Sequence, residues 1–110
     1  MEIKEVASKY NDYQVEMRRY FHRHPEVSTK EYNTSKVIKE ELDKIGVPWV
    51  DCGLETGVLA TVKGAKPGKT ILLRADIDAL SVHETTGLEY ASENEGVMHA
   101  CGHDCHISML

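Results

Sequence analysis

Residues 98–106 contain three histidines, two cysteines and an aspartate within nine consecutive positions. Thiolate and imidazole groups are the ligands that zinc and similar divalent metals prefer in proteins. Cys101 and His103 are separated by a single residue, so in an extended segment both side chains leave the same face and can reach one ion. Gly102 between them lets the backbone bend without a clash from Cβ. The pattern predicts half of a metal site.

A short helix is expected to follow these two residues. His106 lies three positions after His103, which places both rings on one face of a helix that begins near Asp104. The carboxylate of Asp104 suits a helix start, where it can accept free backbone N–H groups and meet the positive end of the helix dipole. A single histidine or cysteine is more often a packed or solvated side chain than a ligand. The clustering of six such groups favours metal binding instead.

The same stretch resembles the metal-binding signature of the amidohydrolase branch of the aminoacylase/carboxypeptidase metallopeptidases. That branch includes hippurate hydrolases, auxin-conjugate hydrolases and N-acyl-L-amino acid amidohydrolases. Residues 74–80 (RADIDAL), Glu84 and residues 22–26 (HRHPE) match further parts of the family pattern. The resemblance covers nearly the whole chain and implies an α/β fold. By this resemblance, the chain would be the amino-terminal part of a dinuclear-metal peptidase catalytic domain, with two helices plus a partial sheet.

The resemblance also implies roles for individual residues. Cys101 and His103 correspond to the metal ligands. His99 and His106 are candidates, because they lie nearby in the sequence, for contacts behind the ligands or to the substrate. Asp78 corresponds to the catalytic-site carboxylate that lies against the metal centre and orients an imidazole ligand. The implied reaction is metal-dependent hydrolysis of N-acyl amino acids. A complete site would hold two divalent ions, chosen from zinc, manganese, cobalt or nickel.

Family members take their catalytic glutamate pair, further histidine ligands and a lid or dimerisation domain from residues beyond this match. We therefore expect residues 1–110 to be the amino-terminal portion of one catalytic domain and to be nearly inactive alone. Full-length relatives can form homodimers. His22 and His24 are expected to be structural, with Glu26 holding the corner between the two predicted helices.

Two amphipathic helices are predicted ahead of the site. Apolar residues recur every three or four positions from Ile3 to Tyr20, so the first helix should run from Ile3 to residues 21–23 and end before Pro25. The second should begin with a capping box formed by Ser28 and a glutamate three residues later, and it should end at Gly46.

Two strands, 57–62 and 70–75, are predicted to pair as an antiparallel hairpin covered by the helices, with a short extended piece at 47–50. The apolar run at 70–75 favours burial on both faces. Residues 76–98 should form a long loop, which is usually functional in a compact domain. Asp76 and Asp78 are expected to face the Cys101–His103 pair from the end of the strand, with Arg74 paired to one of them.

Composition limits the partners. A net charge of −5 and a pI near 5.6 argue against nucleic-acid binding, which needs a basic face. The sequence has no apolar signal region and no apolar run of about 20 residues, so we expect a cytoplasmic protein without a membrane partner. Three cysteines do not suggest a disulfide framework, and Cys52 is expected to be a buried or partly buried free thiol.

The same residues are also compatible with two other functions. In the first, Cys101, His103, Cys105 and His106 hold a structural zinc without catalysis, although such closed sites generally draw ligands from two separated arms. In the second, Cys101 is the nucleophile of a thiol enzyme and His103 or His99 is its base.

Overall fold

The computed structural model describes all residues from 1 to 110, as four helices and one small sheet. The elements in chain order are α1 (Ile3–Lys9), α2 (Asn11–Arg23), α3 (Tyr32–Ile45), β1 (Trp49–Asp51), β2 (Val58–Ala60) and α4 (His103–Met109). Helix α2 packs against α4, and α3 packs against β2. The chain thus has the expected α/β composition.

The first predicted helix is divided into two. Tyr10, with φ −102° and ψ 5°, separates α1 from α2, so a single continuous helix was wrong. Helix α1 buries no residue, whereas α2 buries Phe21 and His22 near its carboxyl end. Helix α2 ends at Arg23, as predicted, because Pro25 disfavours a helical conformation in the preceding residue. The buried end of α2 is the part that reaches the candidate site.

Helix α3 begins later than the capping box predicts. Its first residue is Tyr32, and Thr29 adopts a left-handed conformation with φ 69°, so Ser28 does not cap the helix. The Glu31 carboxylate instead accepts hydrogen bonds from the Thr29 N–H at 2.8 Å and from the Thr56 hydroxyl at 2.7 Å. The helix ends at Gly46 as predicted, with the glycine at φ 83°.

Glu26 satisfies the first turn of α3. Its carboxylate accepts hydrogen bonds from the backbone N–H groups of Asn33 at 3.2 Å and Thr34 at 2.5 Å, and from both of their side chains. These N–H groups have no partner within the helix, so a carboxylate there stabilises the helix start. The expectation that Glu26 holds the corner between the two helices is confirmed.

The predicted strand pairing is wrong. β1 pairs with β2 in antiparallel register, with Trp49 opposite Ala60 and Asp51 opposite Val58. A six-residue connection, 52–57, joins these strands, and such a short loop costs little entropy to close. Residues 70–75 form no strand and pair with no other segment of the chain. The apolar run therefore stays exposed, with Ile71 at 82% and Leu72 at 79%.

The predicted long loop, residues 76–98, contains no helix or regular strand, but isolated bridges fix its two ends. Ala79 bridges Val27, and its N–H donates to the Glu26 carbonyl at 2.8 Å. Leu80 and Met98 exchange two backbone hydrogen bonds of 2.9 Å each. These contacts place the 76–80 segment between the α2–α3 corner and the 98–106 stretch.

The interior of the chain is mainly polar. Of its ten buried residues only Phe21, Pro25 and Ala79 are apolar. The other seven are polar or charged: His22, Glu31, Thr34, Ser35, Thr56, His99 and Asp104. Hydrogen bonds and ion pairs therefore determine how the segments fit together. Cys52 is exposed, which corrects the prediction of a buried thiol. Each of the four helices is too short or too polar to span a bilayer.

Candidate metal centre

A left-handed turn at Gly102 introduces helix α4. Gly102 has φ 89° and ψ 7°, and its carbonyl accepts the N–H groups of Cys105 and His106 at 3.1 Å each. Cys101 and His103 therefore lie on either side of a turn, and the extended geometry assumed for them was wrong. The Cys101 thiol is exposed and the His103 ring is partly buried. The predicted helix near Asp104 is confirmed.

Two aspartates from the loop after Arg74 surround the His103 ring. The ring nitrogen Nδ1 lies 2.9 Å from the Asp78 carboxylate and 3.0 Å from the Asp78 backbone carbonyl, while Nε2 lies 3.9 Å from Asp76. The guanidinium group of Arg74 contacts Asp76 at 2.7 Å. The expectation that Arg74 pairs with one of the aspartates is confirmed, and both aspartates face the His103 member of the predicted Cys101–His103 pair.

The contacts of His103 select one tautomer of its ring. A backbone carbonyl can only accept a hydrogen bond, so the proton of a neutral ring belongs on Nδ1, which donates to Asp78. The lone pair is then on Nε2. This is the arrangement in which a carboxylate fixes the tautomer of a metal-ligating histidine. His106 lies on the same side of α4, with its ring centroid 6.0 Å from that of His103, as the helical spacing predicts.

His99 is buried and has no hydrogen-bond partner. Its residue exposure is 4%, and neither ring nitrogen meets a donor or acceptor. Burial lowers the pKa of His99 by disfavouring the charged ring, and the nearby carboxylate of Asp104 only partly opposes that effect. A buried polar group without a partner is costly, so such a group beside candidate ligands is typical of a binding site.

A second buried histidine joins three segments of the chain. His22, on α2, lies 2.7 Å through Nδ1 from the Asp104 carboxylate of α4 and 2.9 Å through Nε2 from the Glu84 carboxylate of the long loop. Burial alone would raise the pKa of Glu84. Hydrogen bonds from Thr86 and Ser92, together with His22, outweigh that effect and lower the pKa. Glu84 therefore stays ionised although its side chain is only 4% exposed.

Arg18 adds a positive charge beside Asp104. Its Nε lies 3.0 Å from the carboxylate, close enough for an ion pair although its N–H does not point at the oxygen. Burial would lower the pKa of Arg18, but the charge of Asp104 and the interactions with Tyr90 and Cys105 together outweigh it, and the pKa is raised. The Arg18 guanidinium also lies over the Tyr90 ring, 5.2 Å from its centroid. Sequence reasoning missed these contacts, because no local pattern links residues 82 positions apart such as His22 and Asp104.

The donor groups suit a metal such as zinc but do not enclose one. No three His, Cys, Asp or Glu side chains in the structure are grouped closely enough to hold an ion. Cys101 offers an exposed thiol, His103 a ring nitrogen with a defined tautomer, and His99 two unpartnered nitrogens. The chemistry of these donors fits one side of a metal site.

Comparison with known proteins gives a consistent result. Residues 72–110 match peptidase family M20/M25/M40. The chain is 50% identical over 109 residues to thermostable carboxypeptidase 1 of Saccharolobus solfataricus, covering 98% of this chain and 28% of the relative. It is 40% identical over 109 residues to the N-acyl-L-amino acid amidohydrolase of Geobacillus stearothermophilus, covering 99% of this chain and 30% of that protein.

Part of a solved structure has the same fold as this chain. The YXEP protein of Bacillus subtilis, described as a dinuclear metal-binding peptidase of the M20 family, superposes with a TM-score of 0.87 at 43% identity. The superposition covers 92% of this chain and 29% of the YXEP chain. The chain thus spans less than a third of the length of the relatives that it matches.

Proposed function

We propose that this chain belongs to peptidase family M20/M25/M40, whose pattern matches residues 72–110, and that it forms one side of the metal centre of an amidohydrolase that cleaves N-acyl amino acids. Cys101 and His103 are the proposed ligands, and Asp78 is the carboxylate behind His103. The observation that carries the proposal is the pair of hydrogen bonds from His103 Nδ1 to Asp78, which leaves Nε2 for a metal.

A bound divalent ion would acidify a water molecule and polarise the amide carbonyl of the substrate. The chain's own groups prepare the site for that ion. Asp78 keeps the His103 ring in the required tautomer, and the thiol of Cys101 must lose its proton to become a ligand. A thiolate ligand favours zinc, cobalt or nickel over magnesium or calcium, with manganese less favoured.

The proton acceptor for the reaction lies outside this group of residues. Asp78 is engaged by His103, and Asp76 is paired with Arg74 at 2.7 Å. Neither carboxylate is free to act as the general base that amide hydrolysis requires. We therefore expect the 110-residue chain to bind metal but to hydrolyse N-acetyl or N-benzoyl amino acids barely, if at all, with added zinc, manganese or cobalt. Robust turnover by the chain would contradict this division of roles.

The two alternatives have less support. A thiol enzyme needs a base beside its nucleophile, and no imidazole hydrogen-bonds with Cys101. A closed structural zinc site needs four ligands around one point, whereas not even three candidate ligands are grouped. Alkylation separates the first alternative from the proposal, since bound metal should protect a ligand thiolate from iodoacetamide.

Cobalt binding tests the ligand assignment directly. Replacement of either proposed ligand, as in Cys101→Ala or His103→Ala, should abolish the thiolate-to-cobalt charge-transfer band or weaken binding by at least tenfold. Cys52→Ala and His83→Ala are the matched controls, because each removes the same kind of group from an exposed position that makes no contact with the site. Equal cobalt binding by all four variants and the unaltered chain would refute the assignment.

A further inference from the structure

We propose that His22 is a positioning residue for the metal-ligand segment, acting through Asp104. This inference rests on the metal centre proposed above and adds to it a residue from the amino-terminal helix α2. His22 itself touches neither Cys101 nor His103. It holds the residue next to His103 in place, and so fixes where the start of α4 lies.

The geometry around His22 allows the ring little freedom. The residue is 2% exposed, and each ring nitrogen faces a carboxylate oxygen, Asp104 at 2.7 Å and Glu84 at 2.9 Å. The edge of the ring also packs against Tyr90, with 5.6 Å between centroids. Because each ring nitrogen lies within hydrogen-bond distance of a different carboxylate, rotation of the ring would break both contacts at once. The direction of Nδ1 towards Asp104 is therefore fixed.

Asp104 passes this constraint to the ligand segment. The residue is 1% exposed, and its other oxygen accepts the N–H of Cys105 at 3.0 Å. The carbonyl of Gly102 holds the same turn through the N–H groups of Cys105 and His106. Residues 102–106 therefore move together, and a shift of Asp104 away from α2 would displace His103 with it.

The two sides of the ligand segment are thus held by different parts of the chain. Asp78 of the long loop fixes the ring of His103, while His22 of α2 fixes the backbone beside it. Glu84 connects these two supports, because it belongs to the same loop as Asp78 and bonds the second nitrogen of His22. Groups behind the ligands typically change metal affinity by about 10- to 100-fold when they are removed.

Two substitutions of His22 separate its two contacts. The amide nitrogen of asparagine is separated from Cα by the same number of bonds as Nδ1 of histidine. The asparagine side chain in His22→Asn can therefore still donate a hydrogen bond to Asp104. Glutamine carries its nitrogen in a position that corresponds to Nε2, so His22→Gln keeps the Glu84 contact and loses the Asp104 contact. His24→Gln is the matched control, since His24 lies two residues away with a side chain that is 41% exposed. Its contacts are Glu93 at 3.5 Å and the Tyr20 ring, with 4.7 Å between centroids, and neither belongs to the ligand segment.

The experiment titrates each variant of the 110-residue chain with cobalt in competition with a chromophoric chelator. The thiolate-to-cobalt charge-transfer band is followed, and thermal unfolding of the metal-free variants is recorded. We expect His22→Gln to bind cobalt about tenfold more weakly than His22→Asn and to show an altered d–d spectrum. His24→Gln should match the unaltered chain. Equal affinity of His22→Gln and His22→Asn, whether both are strong or both are weak, would overturn the inference.

An isosteric change covers the case in which a His22 variant does not fold. Asp104→Asn keeps the size of the side chain but removes its charge, and it should also weaken cobalt binding about tenfold. Unchanged affinity in Asp104→Asn would overturn the inference. Failure of the underlying metal centre gives a different result, because the unaltered chain would then show no charge-transfer band that depends on Cys101. In that case the inference about His22 would also be wrong.

Discussion

Replacement of Asp78 by alanine should weaken metal binding without unfolding the chain. Asp78 is the carboxylate behind His103, at 2.9 Å from Nδ1, and its side chain is 28% exposed. Loss of such a group typically costs about 10- to 100-fold in metal affinity. Two features place the expected loss of metal affinity at the lower end of this range. The backbone carbonyl of residue 78 still accepts the same N–H at 3.0 Å, and solvent partly screens the carboxylate.

We therefore expect about a tenfold rise in the cobalt dissociation constant of Asp78→Ala, equivalent to about 1.4 kcal/mol. Asp78→Asn should lose less, because its amide oxygen can still accept the hydrogen bond although it carries no charge. A neutral hydrogen bond is weaker than a charged one by about 1 kcal/mol, so a fivefold change is the expected order. The affinity should thus decrease from the unaltered chain through Asp78→Asn to Asp78→Ala.

The assay is cobalt titration against a chromophoric chelator, together with ¹⁵N NMR of the histidine rings in the metal-free chain. The NMR spectrum reports whether Nδ1 of His103 still carries the proton. Asp12→Ala is the control, because Asp12 is exposed and makes no side-chain hydrogen bond or ion pair. Unchanged affinity and an unchanged tautomer in Asp78→Ala would refute the proposed role of this carboxylate.

Three further predictions concern the supports of the site. Glu26→Gln should lower the free energy of unfolding, measured in urea, by about 1–2 kcal/mol. The amide has one acceptor oxygen, whereas the two carboxylate oxygens of Glu26 accept the N–H groups of Asn33 and Thr34 in the first turn of α3. An unchanged urea midpoint would refute this. Gly102→Ala should cost about 1–2 kcal/mol from its φ of 89° alone, whereas Gly68→Ala, which also meets nothing within 4 Å, should cost little. Burial lowers the pKa of His99. The unfolded chain therefore binds the proton more readily, and this contribution to stability, complete above about pH 6.5, is lost as the pH falls towards the lowered pKa. In the metal-free chain, an NMR titration of His99 against pH should show a lower midpoint in the folded state than in the urea-unfolded state.

The strands show why some of the fold was not predictable. The apolar, β-branched composition of residues 70–75 favours a strand, but a strand needs a neighbour to bond its backbone groups. Pairing depends on which segments the chain path brings together. The short 52–57 connection returns β2 onto β1, and the segment 70–75 is left without a partner. Composition identifies that segment correctly as apolar, but it does not determine which other segment could pair with it.

The sequence by itself determined the end of α2 before Pro25, the end of α3 at Gly46 and the presence of a helix close to Asp104. These features depend on backbone preferences and side-chain chemistry within a few residues, so they can be read locally. Only the tertiary structure decided that His22 meets Asp104 and Glu84, and how Asp78 is directed at His103. Those contacts join distant segments. They depend on the path of the whole chain, which local preferences do not specify.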